Sequence, residues 1–314
     1  MDHSHSGHIP SSGHAMTISA WLTGIYFIIE MGIGLWTGSI AVISDAFHTF
    51  SAVGGVLVAI AAARLAQRPA DENRTFGWYR AEIIGALVNG AFLLVMALVV
   101  IVMGSMRLAE PIDLPTAPML LAAAGGLVTE FISLGLIWKQ SKHDLNVRGA
   151  LWHIIQTFVG SILIIVTALV IKFTGFLLID PLLGMVFGFV LLWASWGILR
   201  DAAHLLMEGT PADINLADVS RELQSIDGVN DAHHVHAWAL TSGRYVFSAH
   251  LRIGKGTDNE RILNSAHKML KERFGFFFGT LQLETTCMDE AHAAEIDVQR
   301  TFCLLYTSPS PRDI

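Results

Sequence analysis

Charge is scarce in this chain. Only 15% of its 314 residues are Asp, Glu, Lys or Arg while 53% are hydrophobic, which is too apolar for a soluble domain of this length. Thiols are scarcer still: Cys287 and Cys303 stand alone and supply neither a disulfide framework nor the spacing of a zinc ribbon. A formal net charge of -7, with no basic patch interleaved with aromatics, argues against a nucleic-acid partner. No HExxH occurs, so an intramembrane metallohydrolase has no motif to rest on, and no enzyme is expected. The opening MDHSHSGHIPSSGHAM lacks the basic start and apolar core of a cleaved signal peptide, so the first apolar segment is expected to stay as an anchor.

What the chain does have is long apolar segments. Six stretches, near 17–37, 40–63, 82–106, 117–138, 149–172 and 177–199, are long enough to cross about 30 Å of hydrocarbon as helices. Arg64, Arg68, Arg74 and Arg80 crowd the second connecting loop and Lys139, Lys142 and Arg148 the fourth, against Arg107 in the third and Lys172 in the fifth. Basic residues stay on the cytoplasmic side, so the even loops and both termini are expected there, in a bacterial-style inner (plasma) membrane.

From about Asp201 the pattern turns soluble. Leu216, Val219, Leu223 and Ile226 fall at helical spacing within 215–226; strand-like runs follow at 231–240 and 244–253, joined at Ser242-Gly243, then a helix at 258–274 and a strand at 279–285. The order αββαβ predicts a small cytoplasmic α+β ferredoxin-like domain below an all-α membrane domain of six helices. So small a core makes packing against a second copy plausible. The expected organisation is a His-containing tail at 1–16, the six-helix transmembrane domain at 17–200, the ferredoxin-like domain at 201–290, and a disordered or foreign tail at 291–314.

Ionisable groups at membrane depth are costly and are retained where they pair, bind an ion or line a wet path. Asp45 and His48 lie three residues apart and share a face of the second helix, with Ala52 one turn beyond. Glu30, Asn89 and Glu130 are polar groups in the first, third and fourth helices, and His153 in the fifth has Gln156 and Thr157 on its own face. Asp45, His48 and His153 together offer the oxygen and nitrogen ligands that suit a borderline divalent ion such as Zn²⁺. The alternative is that each is a satisfied polar contact holding helices together.

In the soluble part, DAHHVHAW places His234 and His236 on one face of a strand and His233 on the other if alternation holds. His250 ends the next strand and Glu284 the last, so imidazoles on adjacent strands beside a carboxylate make a second candidate metal site, or merely a polar sheet face. His3, His5, His8 and His14 form a loose tract whose spacing defines no geometry.

The motifs GSIAVISDAFH, RTFGWYRAEIIGALVNGAFLL, NVRGALWH, IDPLLG, HLLMEGTP, VHAWALTSGR, SAH and LQLE together resemble the cation diffusion facilitator family in its zinc-transporting branch, over roughly Thr17 to Glu284. The resemblance implies a homodimer whose protomers export Zn²⁺ or a related divalent cation in exchange for protons. It also implies a transport site in which the second and fifth helices each give a histidine and, four residues on, an aspartate. His48 and His153 match the histidines; Ala52 and Thr157 stand where the aspartates belong. Asp45 supplies one carboxylate from a turn earlier, and Gln156 and Thr157 in the fifth helix offer only neutral oxygens. His236, His250 and Glu284 match the family's cytoplasmic zinc site, where Phe277 replaces a further histidine. Zinc export is thus one expectation. A transport-deficient partner subunit or metal sensor of the same family is the other.

Overall fold

The computed structural model describes residues 12–138, 145–241 and 243–286; side chains are described from Ile18 onward except at 20, 52, 53, 56, 59, 137 and 145–153. His3, His5 and His8, both cysteines and the expected tail at 291–314 lie outside the described residues, as does the side chain of His14. The chain divides into two compact units, one holding the residues up to Arg64 together with Ile84–Arg200, the other Leu65–Ile83 together with the residues from Asp201 on.

Six helices follow the six apolar segments: α1 Ser12–Thr37, α2 Ile40–Ala66, α3 Ala81–Ala109, α4 Thr116–Ile137, α5 Leu145–Thr174 and α6 Ile179–Leu206. Among the described residues, α3, α6, Thr116–Leu136 of α4 and Ile154–Thr174 of α5 are long and apolar enough to cross a membrane, and α1 contributes a shorter apolar run at Trp21–Thr37. In the first unit the usual inside-out rule of soluble proteins is reversed. Trp21, Leu121 and Trp193 point outward, whereas Glu30, Ser44, Asp45, Thr49, Glu130, Ser133 and Ser161 are buried. That distribution suits a lipid surround, where apolar side chains need no shelter and polar ones must find partners inside.

Small residues set how closely these helices pack. A Cβ on Gly126 of α4 would collide with Ser161 of α5 and Tyr26 of α1, so three helices meet closely at this glycine. The start of α2 is tied to α6. Asp180, wholly buried, accepts hydrogen bonds from Ser39 Oγ (2.5 Å), Ile40 N (2.7 Å) and Ala41 N (3.3 Å). The first N–H groups of a helix have no partner within it and carry its positive dipole end, so a carboxylate from another helix both satisfies and stabilises them.

The second unit contains α7 Leu216–Gln224, β1 Val229–Thr241, β2 Arg244–Ile253, α8 Asn259–Phe274 and β3 Phe276–Glu284. The sheet order is β1-β2-β3, antiparallel between β1 and β2 and parallel between β2 and β3, with α8 as the crossover that a parallel pair requires. Asn215 caps α7 by accepting from Ala217 N, Asp258 caps α8 by accepting from Arg261 N, and Gly275 in the left-handed region (φ 70°) ends α8. Val219 and Leu223 of α7 and Ile262, Ala266 and Leu270 of α8 close over Ala237, Phe247, Ala249 and Leu251 of the sheet. The αββαβ order is the expected one, with β1 and β3 reaching further back along the chain than their hydrophobic runs suggest.

The connection at 65–83, between the second and third apolar segments, groups with the second unit. Their side chains find partners there: Arg80 pairs with Glu208 at 2.8 Å, Tyr79 Oη accepts from Arg244 Nη1 at 2.5 Å, Glu82 accepts from the Thr241 hydroxyl, and Phe76 meets Phe278 edge-on.

Candidate metal centres

In the first unit, helical spacing puts Asp45 and His48 on one side of α2. Asp45 is 2% exposed and lies directly against α5, where a Cβ on Gly160 would overlap its carboxylate. It lines a small cavity between α2, α5 and α6 with Ala41, Gly160, Ile164, Gly184 and Phe187. The His48 ring meets Phe187 edge-on, 5.5 Å between centroids. From α1, the fully buried Glu30 brings its carboxyl against that of Asp45 and accepts from Thr49 Oγ1 at 3.3 Å. Glu130 of α4 accepts from Ser161 Oγ at 3.1 Å. Thr157 lies beside it, its hydroxyl donating to the Ile154 carbonyl at 2.9 Å. His153 belongs to α5, but its side chain, like that of Ala52, is outside those described. Asp45 and the His48 ring both adjoin Phe187, and Glu30, which the sequence marks only as a polar group of the first helix, is the residue whose carboxyl meets Asp45.

In the second unit the structure assembles a different set from the expected one. His233, His250 and Glu284 bring one ligand atom each within 4.8 Å of one another. His236 is not in this group. His233 enters through a bulge: it pairs with His250 and His236 pairs with Ser248, so three steps on β1 oppose two on β2, and His234 takes a left-handed φ of 47°. An extra residue shifts which side chains share a face, so alternation counted from His236 assigns His233 to the wrong side. His233 is buried between two carboxylates, Nε2 2.7 Å from Glu284 Oε1 and Nδ1 3.3 Å from Asp231 Oδ2. The His233 and His250 rings are edge-on at 5.5 Å, and the ring of His234 is 5.2 Å from that of His250. An imidazole fixed by a carboxylate on one nitrogen presents the other to a metal. Two imidazoles and a carboxylate are a donor set that fits Zn²⁺.

The family model of the cation efflux transmembrane domain matches residues 16–207, and that of the cation efflux protein cytoplasmic domain matches 211–286. The chain belongs to the cation diffusion facilitator family. Asp45, His48 and Glu30 fall within the first matched segment and His233, His250 and Glu284 within the second. Among its relatives, the cation efflux system protein CzcD of Alcaligenes sp. (strain CT14) is 33% identical over 294 residues, 93% of each chain. The cadmium, cobalt and zinc/H(+)-K(+) antiporter of Bacillus subtilis (strain 168) is 34% identical over 276 residues, 86% of this chain and 87% of the relative. The zinc transporter ZitB of Escherichia coli (strain K12) is 28% identical over 291 residues, 90% of this chain and 93% of the relative. The cation diffusion facilitators are a family of transporters, and this member is a multi-pass membrane protein with a small α+β domain.

Proposed function

We propose that this chain exports a divalent cation, Zn²⁺ foremost, across a bacterial inner membrane in exchange for protons, as a homodimer with both termini cytoplasmic. The observation that carries the reading is that the buried Asp45 and the half-buried His48, three residues apart on α2, both adjoin Phe187 in the polar interior of the first unit. The family and the printed functions of its relatives, zinc transport and cation/proton antiport, support it.

In this reading Asp45, His48 and His153 bind the cation as cargo. An imidazole, with an ordinary pKa of about 6.5, releases a proton to take up metal and the reverse near neutral pH, so the same nitrogens exchange one for the other. Opening of the site to alternate sides of the membrane then moves cation one way and protons the other. In the second unit, His233, His250 and Glu284 would hold a resident zinc ion, whose charge draws the strands β1, β2 and β3 together. Asp231 orients the His233 ring. The match to a cytoplasmic dimer domain supports two-fold assembly through this unit.

The test is zinc and manganese uptake into proteoliposomes at two internal pH values. Wild-type protein is expected to move Zn²⁺ at a rate set by the proton gradient, and the His48→Ala, His153→Ala double variant to move none. Equal flux in the double variant removes the reading.

One observation favours a second reading. Residues 52 and 157 are neutral, and the Thr157 hydroxyl is engaged by the Ile154 carbonyl, which suits a non-transporting partner subunit or a metal sensor. A native chain silent in the same assay and made active by Ala52→Asp with Thr157→Asp would select it.

A further inference from the structure

A divalent cation held by His48, His153 and Asp45 would keep one uncompensated positive charge, because imidazole is neutral and Asp45 brings a single negative charge. In a site drained of water that imbalance is expensive. No second carboxylate is available on α5 near His153, where the neighbouring polar residues are Gln156 and Thr157. The structure shows one arriving from α1.

Glu30 is fully buried and Asp45 nearly so, and their carboxyl groups touch. Among the described residues no backbone N–H or hydroxyl donates to Glu30 Oε1 or Asp45 Oδ1, and the two carboxyl groups hydrogen-bond each other when one carries a proton. Neither carboxylate is paired with Lys or Arg among those residues. Two carboxyl groups held in contact at low dielectric crowd their oxygens together, an arrangement that a bridging divalent cation or a shared proton relieves. Asp45 also lines the small cavity bounded by Phe187, and Phe187 in turn meets the His48 ring edge-on. Glu130 is less suited to this role, since its contacts are the hydroxyls of Ser161 and Thr157 rather than the Asp45 carboxyl.

We propose that Glu30 is a ligand of the transported cation, forming with Asp45 a carboxylate pair that neutralises a first-row divalent ion in the first unit. With Glu30 included the ligands carry two negative charges against the two positive charges of the ion, and the site is neutral when loaded. Two carboxylate oxygens beside imidazole suit Zn²⁺, Co²⁺ and Mn²⁺ more than a soft monovalent ion. The inference rests on the transport reading above and deepens it by bringing the first helix into the site.

Equilibrium dialysis of Zn²⁺ with the full-length protein in detergent tests it. The component of binding lost in His48→Ala defines the membrane site, and the remainder, on the sheet of the second unit, serves as an internal control for folding. Glu30→Gln should weaken the membrane component by at least about tenfold and leave the sheet component unchanged, while Glu30→Asp should retain most of the affinity. Ala52→Asp, which adds a carboxylate one turn from His48 on the same face, should restore binding to the Glu30→Gln protein. Wild-type affinity in Glu30→Gln overturns this proposal alone and leaves His48 as a ligand. Loss that spreads to the sheet component, or that Ala52→Asp fails to recover, assigns Glu30 a structural role and overturns it too. Absence of any His48-dependent binding in the unmodified chain would bring down the transport reading and this inference together.

Discussion

The two candidate centres put similar side chains to use in different surroundings. Among the helices of the first unit, Glu30, Asp45 and Glu130 outnumber the described imidazole of His48, and their donors are the hydroxyls of Thr49 and Ser161. On the sheet of the second unit, His233 and His250 outnumber Glu284, and one imidazole is clamped between Glu284 and Asp231. The first arrangement crowds carboxyl oxygens together and needs a cation or protons to be at ease in a dry interior. The second already balances ring against carboxylate, so a metal arriving there displaces protein contacts that exist without it.

The largest expected effect tests whether the first centre depends on the anchoring of α2. Asp180→Ala removes the acceptor of Ser39 Oγ, Ile40 N and Ala41 N at a buried helix start, five residues before Asp45. Leaving those donors unsatisfied should cost about 3 kcal/mol. Thermal unfolding in detergent should show the loss, and hydrogen exchange should place it in the first turns of α2. A variant of unchanged stability, with exchange at 40–45 as slow as in the wild type, would detach the cap from the site.

His233→Ala sharpens the comparison from the other side. Zinc affinity of the sheet component should fall by about 100-fold, because one of the clustered ligands goes and Glu284 loses its ring partner. The His48-dependent component should not change. If both components fall together, the two centres are not separate sites and the contrast between them fails.

Much of this architecture was legible in the chain because it rests on local signals. Helix length and apolarity mark the membrane segments. The spacing of Val219 and Leu223, and of Ile262, Ala266 and Leu270, marks the two helices that cover the sheet. The i,i+3 spacing of Asp45 and His48 also survives folding, since an uninterrupted helix keeps its faces. Three features were not legible. That Glu30 meets Asp45 is decided by how α1 packs on α2, and nothing local to either segment encodes it. The grouping of residues 65–83 with the second unit depends on Arg244, Thr241 and Glu208, all far along the chain. The bulge between His233 and His236 requires a left-handed residue, and no glycine stands at His234 to announce it. A strand read by alternation alone therefore pairs the wrong histidine with His250.

That last point yields the smallest expected effect, and the one that separates the two ways of counting the strand. His236 is half-buried, pairs with Ser248, and has its ring stacked on that of His234 at 6.4 Å, outside the His233, His250 and Glu284 cluster. His236→Ala should therefore cost about 0.5 kcal/mol of ring contact and change zinc affinity of the sheet component by less than about twofold, a shift below that expected for a lost orienting residue. Dialysis of the two single variants, His233→Ala and His236→Ala, gives the decisive ratio. An affinity loss as large in His236→Ala as in His233→Ala would mean that His236, which the bulge leaves on the same face as His250, joins the ion when metal binds.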